Sequence, residues 1–270
     1  MDIKYRNSIL EEVDLNSDPY KLLVSDILDY EWEAAESGEK ITGFKKTITK
    51  KSIDIDILKT GGRSSRLLQN QLTDFFETDI HRGKAGKLYI GDYYLPCYIY
   101  SAKKENWETD VVMSCEYGII TDHPFWIKER PYYFKTTEAV SSDSKRYGNR
   151  HAYRYANGLM NTMVINNHYT DCNFRMVIYG PVTDPRVYIG GHEYLVKIRL
   201  EAGENLVIDS AAETVTKVTP FGNQINAFHN RDFEHSVFEP VHPGRQNVGW
   251  SGLFDFDLIL YEERSEPKWE

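Results

Sequence analysis

Eight histidines, three cysteines and 41 carboxylates are the side chains with which this 270-residue chain could do metal, nucleophilic or acid–base chemistry. Their spacing selects none of it. His192-Glu193 opens like the zinc-protease pattern H-E-x-x-H, but Val196 stands where the second histidine must lie, one helical turn on. Cys97, Cys115 and Cys172 are odd in number and far apart, with no C-x-x-C, so they outline neither a disulfide framework nor a zinc site and read as buried free thiols. Asp209-Ser210 and Trp250-Ser251-Gly252 lack the G-x-S-x-G turn that presents a nucleophilic serine. Asp54 and Asp56 form a carboxylate pair, yet they alternate with Ile53, Ile55 and Ile57, which makes them the solvated face of a half-buried strand. A glycosidase pair is defined by its separation in space, and an acidic chain offers many candidates without singling one out. No catalytic, cofactor-binding or metal-ligating residue is therefore assigned, and no enzyme or cofactor is expected.

Phosphate chemistry fares no better. The run His81 to Lys87, HRGKAGK, has the glycines and cations of a phosphate loop, but a Walker loop needs four residues between its glycines and a helix after them, whereas here a helix precedes and Leu88 follows. It reads as a helix-terminating loop. A net charge of −9 argues against a general nucleic-acid surface. The densest basic cluster is Lys45, Lys46, Lys50 and Lys51, interleaved with threonines. It is the candidate oligomer or partner interface; the plainer alternative is a solvated edge guarded by lysines against stray strand pairing. Trp107, Trp126, Trp250 and Trp269 could stack on sugars, but packing or interface roles explain such residues more simply.

The elements that position these residues are mostly strands. Composition is ordinary for a globular protein, with 41% hydrophobic and 27% charged residues, and 19 tyrosines and 12 phenylalanines lean toward β structure. No apolar run spans a bilayer and the first twelve residues lack a signal-peptide core, so membrane insertion and export are not expected. Lys51 to Lys59 is a strand of period two. Ser64 to Ile80 is the one convincing helix, with Leu68, Leu72, Phe75 and Phe76 on one side, Ser64 or Ser65 as its cap and Gly83 beyond its end. Leu88 to Tyr100 and Val187 to Val196 read as hairpins about Gly91-Asp92 and Gly190-Gly191. Val111 to Ile120 is strand-like. The polar, serine-rich stretch 135–149 is the best domain border, and after it short strands recur at Phe174 to Tyr179, Tyr194 to Leu200, Leu206 to Ile208, Thr214 to Val218, Val248 to Trp250 and Phe254 to Tyr261, the pattern of a sandwich or jelly roll.

Three runs carry a family resemblance: FFETDIHRGKAGKLYIGDYYLPCYI (Phe75 to Ile99), NFRMVIYGPVTDPRVYIGGHEYLV (Asn173 to Val196) and HPGRQNVGWSGLFDFDLILYEERSEPKW (His242 to Trp269). In this order, across most of the chain, they resemble the distal tail proteins of long-tailed phages of Gram-positive bacteria; the closing FDLILYEERSEPKW is the most specific. The resemblance implies a mainly β structural protein: an N-terminal β domain with one helix (1–134, helix 64–80), a linker or long loop (135–150) and a C-terminal galectin-like β-sandwich, or jelly roll (151–270). It implies a six-fold ring, a homo-hexamer at the end of the tail tube with a channel for DNA, partnered by the tube protein, the tail-tip protein and a receptor-binding protein, in a virion tail assembled in the bacterial cytoplasm. The fold alone carries no sugar site with it, and no residue set here maps onto one. The competing readings are a carbohydrate-binding module for host cell-wall sugars and, third, a tail-associated hydrolase.

Overall fold

The computed structural model describes residues 2–108, 110–136 and 160–269. The described residues are mainly β with a single α-helix and one short 3-10 turn. The chain divides into two compact units, residues 1–128 with 263–270, and residues 129–262. The expected linker, 135–150, lies from residue 137 onward outside the described residues.

The first unit holds β1 (Ile3–Arg6), β2 (Glu12–Asp14), β3 (Tyr20–Ser25), β4 (Glu33–Ser37), β5 (Lys40–Lys45), β6 (Thr49–Leu58), α1 (Ser65–Arg82), β7 (Gly86–Ile90), β8 (Tyr93–Glu105), β9 (Val112–Thr121) and the start of β10 (Trp126–Phe134). Every pairing here is antiparallel: β3 with β6, β6 with β9, β9 with β8, β8 with β7, and β7 with β1, which also takes β2. The alternation in β6 does what its sequence dictates. Ile53, Ile55 and Ile57 are buried while Asp54 and Asp56 stay on the other face. Onto the isoleucine face α1 lays Leu68, Leu72 and Phe76, joined by Met113, Cys115 and Tyr117 of β9 in one apolar cluster. Ser64 caps the helix by accepting from the Leu67 N–H, and Gly83 ends it at φ 61°, a left-handed turn that costs glycine nothing. The HRGKAGK run is accordingly the helix exit.

The second unit contains the rest of β10, then β11 (Met160–Asn166), β12 (Asn173–Tyr179), β13 (Val182–Thr183), β14 (Arg186–Ile189), β15 (His192–Leu195), β16 (Arg199–Leu200), β17 (Asn205–Asp209), β18 (Thr214–Val218), β19 (Gln224–Asn226), β20 (Gly244–Trp250) and most of β21 (Phe256–Arg264). One run of strands is ordered β19-β18-β17-β12-β21 and a separate sheet is β11-β20-β14-β15. Alternate residues of both, Phe174, Met176 and Ile178 from the first and Val187, Ile189 and Val248 from the second, enter one core. Gly190 and Gly191, at φ 60° and 90°, make the two-residue turn between β14 and β15 that only residues tolerant of positive φ can make. All three cysteines are free and buried.

Candidate functional site

The lysine cluster sits at the root of a two-stranded arm that the sequence reading did not find. Among the described residues β4 and β5 pair only with each other, and ten of their eleven residues are exposed. In their register, which shifts at a bulge between Ala35 and Glu36, Ala34 lies opposite Phe44 and Glu36 opposite Ile41, so Ile41 and Phe44 share a side of the arm and are 61% and 62% exposed. An isolated hairpin is marginal in water. Its one sequence signal is the Ser37-Gly38 dipeptide that opens the Gly38-Glu39 turn; a strand pair wholly in solvent has no buried face and so no alternation to read.

At the arm's root each of the four lysines has a different role. Lys45 lies opposite Glu33 and pairs with it at 3.7 Å. Lys46 points inward: its ammonium donates to the Pro124 carbonyl and stands 5.3, 5.0 and 4.7 Å from the ring centres of Tyr30, Trp32 and Phe125. Burial in that cage, and the charge of Lys51, bring its pKa down to about 8. Lys51 donates to the Asp29 carbonyl, and Lys50, exposed, lies over Tyr100 at 5.6 Å. Lys46, Lys50 and Lys51 share a depression of about 390 Å³ with Asp29, Glu31 and Glu33. The site is thus a cation-bearing root anchoring an exposed apolar arm, suited to holding another surface and without the geometry of a reaction centre.

A second feature faces solvent on the side of the sheet away from α1. There Asp54 of β6 is directly opposite Glu116 of β9, and Asp56 opposite Ser114, which donates to it at 2.6 Å. Glu116 is in turn opposite Lys103 of β8, with an ion pair of 2.9 Å, and Ser114 opposite Glu105. Like charges across a sheet are destabilising. This face carries four carboxylates, Asp54, Asp56, Glu105 and Glu116, with Lys103 opposite Glu116, Lys21 of β3 opposite Asp56, and Lys50 further along the same face of β6.

The remaining sequence candidates fall into structural roles. Ser210 is buried, donating to and accepting from backbone around Phe174. Lys87 of the glycine-rich run lies over Tyr94 at 3.7 Å. Trp126 and Trp250 are each 2% exposed, so neither offers a face to a sugar; Trp107 and Trp269 remain at the surface. His192-Glu193 lies on β15, where Glu193 meets Asp232 and His235 rather than a histidine four residues on. Among the described residues no helix is long and apolar enough to cross a membrane.

No family model and no curated protein matches the sequence. Solved structures do match the fold. The chain superposes on the SPP1 Dit protein, described as a paradigm of hub adsorption apparatus in phages infecting Gram-positive hosts, with TM-score 0.57 and 11% identity over 97% of this chain and 98% of that one. It also superposes on a chain of the phage P2 baseplate in its activated conformation with Ca, with TM-score 0.63 and 13% identity over 99% of this chain and 100% of that one. The Sr form of that baseplate gives TM-score 0.63 and 13% identity, over 98% and 99%. The fold is therefore the one those phage proteins share, end to end.

Proposed function

We propose that this chain is a structural component of a phage tail, a hub protein that performs no chemistry and works by assembling. The observation that carries the reading is the correspondence of nearly the whole chain, both units in order, to a hub protein and to a baseplate chain. In this reading six copies form a ring at the distal end of the tail tube. The ring joins the tube protein to the tail-tip protein and the receptor-binding protein and leaves a channel for DNA. The second unit, with two runs of strands sharing one core, is the galectin-like sandwich of that assembly. The protein is assembled in the bacterial cytoplasm and ends in the virion tail.

The arm supports the reading from physics alone. Covering the remaining exposed surface of Ile41 and Phe44 is worth about 1–2 kcal/mol each, and an arm that meets a different patch on the next copy is a head-to-tail contact, the kind that closes into rings. Lys45 and Lys50, exposed at its root, would then meet acidic groups of the neighbour, with Lys46 holding the root in shape.

Mass measurement of the purified chain in solution tests this. A species about six times the 31.4 kDa chain, alone or with tube protein added, is expected. A monomer that persists at micromolar concentration under both conditions would overturn the ring. Glycan binding by the monomer would favour the carbohydrate-binding reading instead.

A further inference from the structure

We propose that Glu193, Asp232 and His235 of the second unit form a binding site for a transition-metal ion of the zinc type. The site is independent of the assembly reading. β15 delivers Glu193, and the loop after the 3-10 turn delivers the other two. That loop is pinned where it matters: Val196 bridges Arg231, the Asp232 N–H donates to the Leu195 carbonyl at 2.9 Å, and the His235 N–H donates to Asp232 Oδ2 at 3.2 Å.

The donor spacing fits a metal better than it fits hydrogen bonds. His235 Nδ1 is 3.6 Å from Glu193 Oε2 and 3.5 Å from Asp232 Oδ2, beyond the ordinary hydrogen-bond range. Ligands about 2.0–2.1 Å from a tetrahedral ion stand about 3.4 Å from one another; the two His235 separations are close to that, and all three donor atoms lie within 4.8 Å of one another, so the two carboxylates need only close on the imidazole for a zinc-sized ion to touch all three.

The carboxylates are also oriented as ligands are. Glu193 uses Oε1 for its outer partners, the Tyr188 hydroxyl at 2.8 Å and Arg186 Nε at 3.0 Å. Asp232 uses Oδ1 for Lys197 Nζ at 3.1 Å. In each case the other oxygen is left turned to His235. Outer hydrogen bonds that fix the free oxygen of a ligand are what hold a metal site in register. His192, whose ring centre is 6.0 Å from that of His235, has its Nε2 engaged by the Ser236 carbonyl at 2.7 Å, so the fourth position is left to water or to a donor from a partner. One imidazole and two carboxylates suit Zn(II), Co(II) or Ni(II); Ca(II) and Mg(II) need more oxygen ligands than are here. Arg186 and Lys197 offset the charge of the two acids, so affinity will be modest.

The test uses the full chain, stripped with EDTA and titrated with Co(II). One equivalent is expected to give visible d–d bands of tetrahedral intensity, bleached by Zn(II), and Zn(II) should raise the thermal midpoint. His235→Ala, at an exposed position, should lose both effects with an unchanged far-UV spectrum; His242→Ala, which removes another exposed histidine beside an acid, should keep them. Glu193→Gln serves as the second ligand variant should His235→Ala fail to fold. Absence of a one-equivalent phase in the wild type, or its persistence in either ligand variant, would overturn the site and leave the three residues as an ion-pair network.

Discussion

The Tyr5 hydroxyl donates to Asp79 Oδ2 at 2.7 Å, tying the first strand to the last turn of the helix across 74 residues. Both groups are buried, and the other Asp79 oxygen accepts from the Ser8 N–H at 2.6 Å. The Cys97 carbonyl, 3.1 Å from the same hydroxyl, is the longer branch of a shared hydrogen bond from its single proton. Burial, with Asp79 close by, pushes the Tyr5 pKa far upward, so it remains a donor at any working pH. Gly86, at the start of β7, completes the arrangement because a Cβ there would lie 2.3 Å from the Tyr5 hydroxyl and 2.4 Å from Asp79 Oδ2.

Two substitutions measure this junction. Tyr5→Phe keeps the ring and strands one buried carboxylate oxygen, for an expected loss of about 1–3 kcal/mol in the urea midpoint analysis. Gly86→Ala should cost about as much by overpacking, although it removes no bond. The two share a contact, so the double variant should lose less than the sum. Full additivity would mean that the glycine does not act through the tyrosine.

The register of β6 makes a sharper contrast between neighbours. Ile55 is fully buried against the helix, whereas Asp54 faces Glu116. Ile55→Asp puts an unpaired carboxylate into the core and should cost several kcal/mol, enough to prevent folding. Asp54→Asn removes a like-charge opposition and should leave the unfolding midpoint unchanged or raised by roughly 0.5 kcal/mol. A drop comparable to that of the isoleucine variant would contradict the faces assigned here.

That strand was legible because one of its faces is buried, and the helix because its apolar residues recur at the spacing of turns. The first fifty residues were not read, although five strands run through them. β1 and β2 are too short to display a period, β3 is interrupted by a bulge between Leu22 and Ser25, and β4 with β5 has no buried face. The lysines were found by density of charge, which could not distinguish caged Lys46 from exposed Lys50. Glu193, Asp232 and His235 escaped because strand pairing and a loop, not a helical turn, bring them together. Motif spacing reads only local geometry.

Acid should act through Glu204. Its carboxylate accepts from the Glu201 N–H at 2.7 Å and pairs with Lys217 at 2.6 Å, and these contacts hold its pKa below the usual glutamate value. A depressed folded pKa stabilises above the unfolded pKa, near 4.3, and the contribution disappears as pH falls through the folded value. Glu204→Gln should therefore lower the unfolding midpoint at pH 7 and narrow the gap from wild type on acidification toward pH 3. A gap that stays constant with pH would mean that the Glu204 charge is not what the contacts stabilise.

The last expectation follows from the acidic face of β6, β9 and β8. If the proposed ring has a channel for DNA, a wall of cations would hold phosphates by counterion release and obstruct passage. The chain has instead a sheet face on which Asp54, Asp56, Glu105 and Glu116 outnumber Lys21, Lys50 and Lys103, and an overall charge of −9 to multiply by the number of copies. For the proposed ring, this face is taken as the one that would line such a channel. The assembled ring should then have no useful affinity for duplex DNA at physiological salt. Replacing the four acids by their amides should create a salt-sensitive affinity without preventing assembly, since all four side chains lie outside the core. Lys50 supplies the counter-test, being exposed at the root of the arm. Lys50→Glu should weaken assembly if the root meets an acidic neighbour and leave DNA binding absent. Tight, salt-sensitive binding of the wild-type ring to DNA, lost in Lys50→Glu, would mean that the cations of this face, not its acids, set the field of the channel.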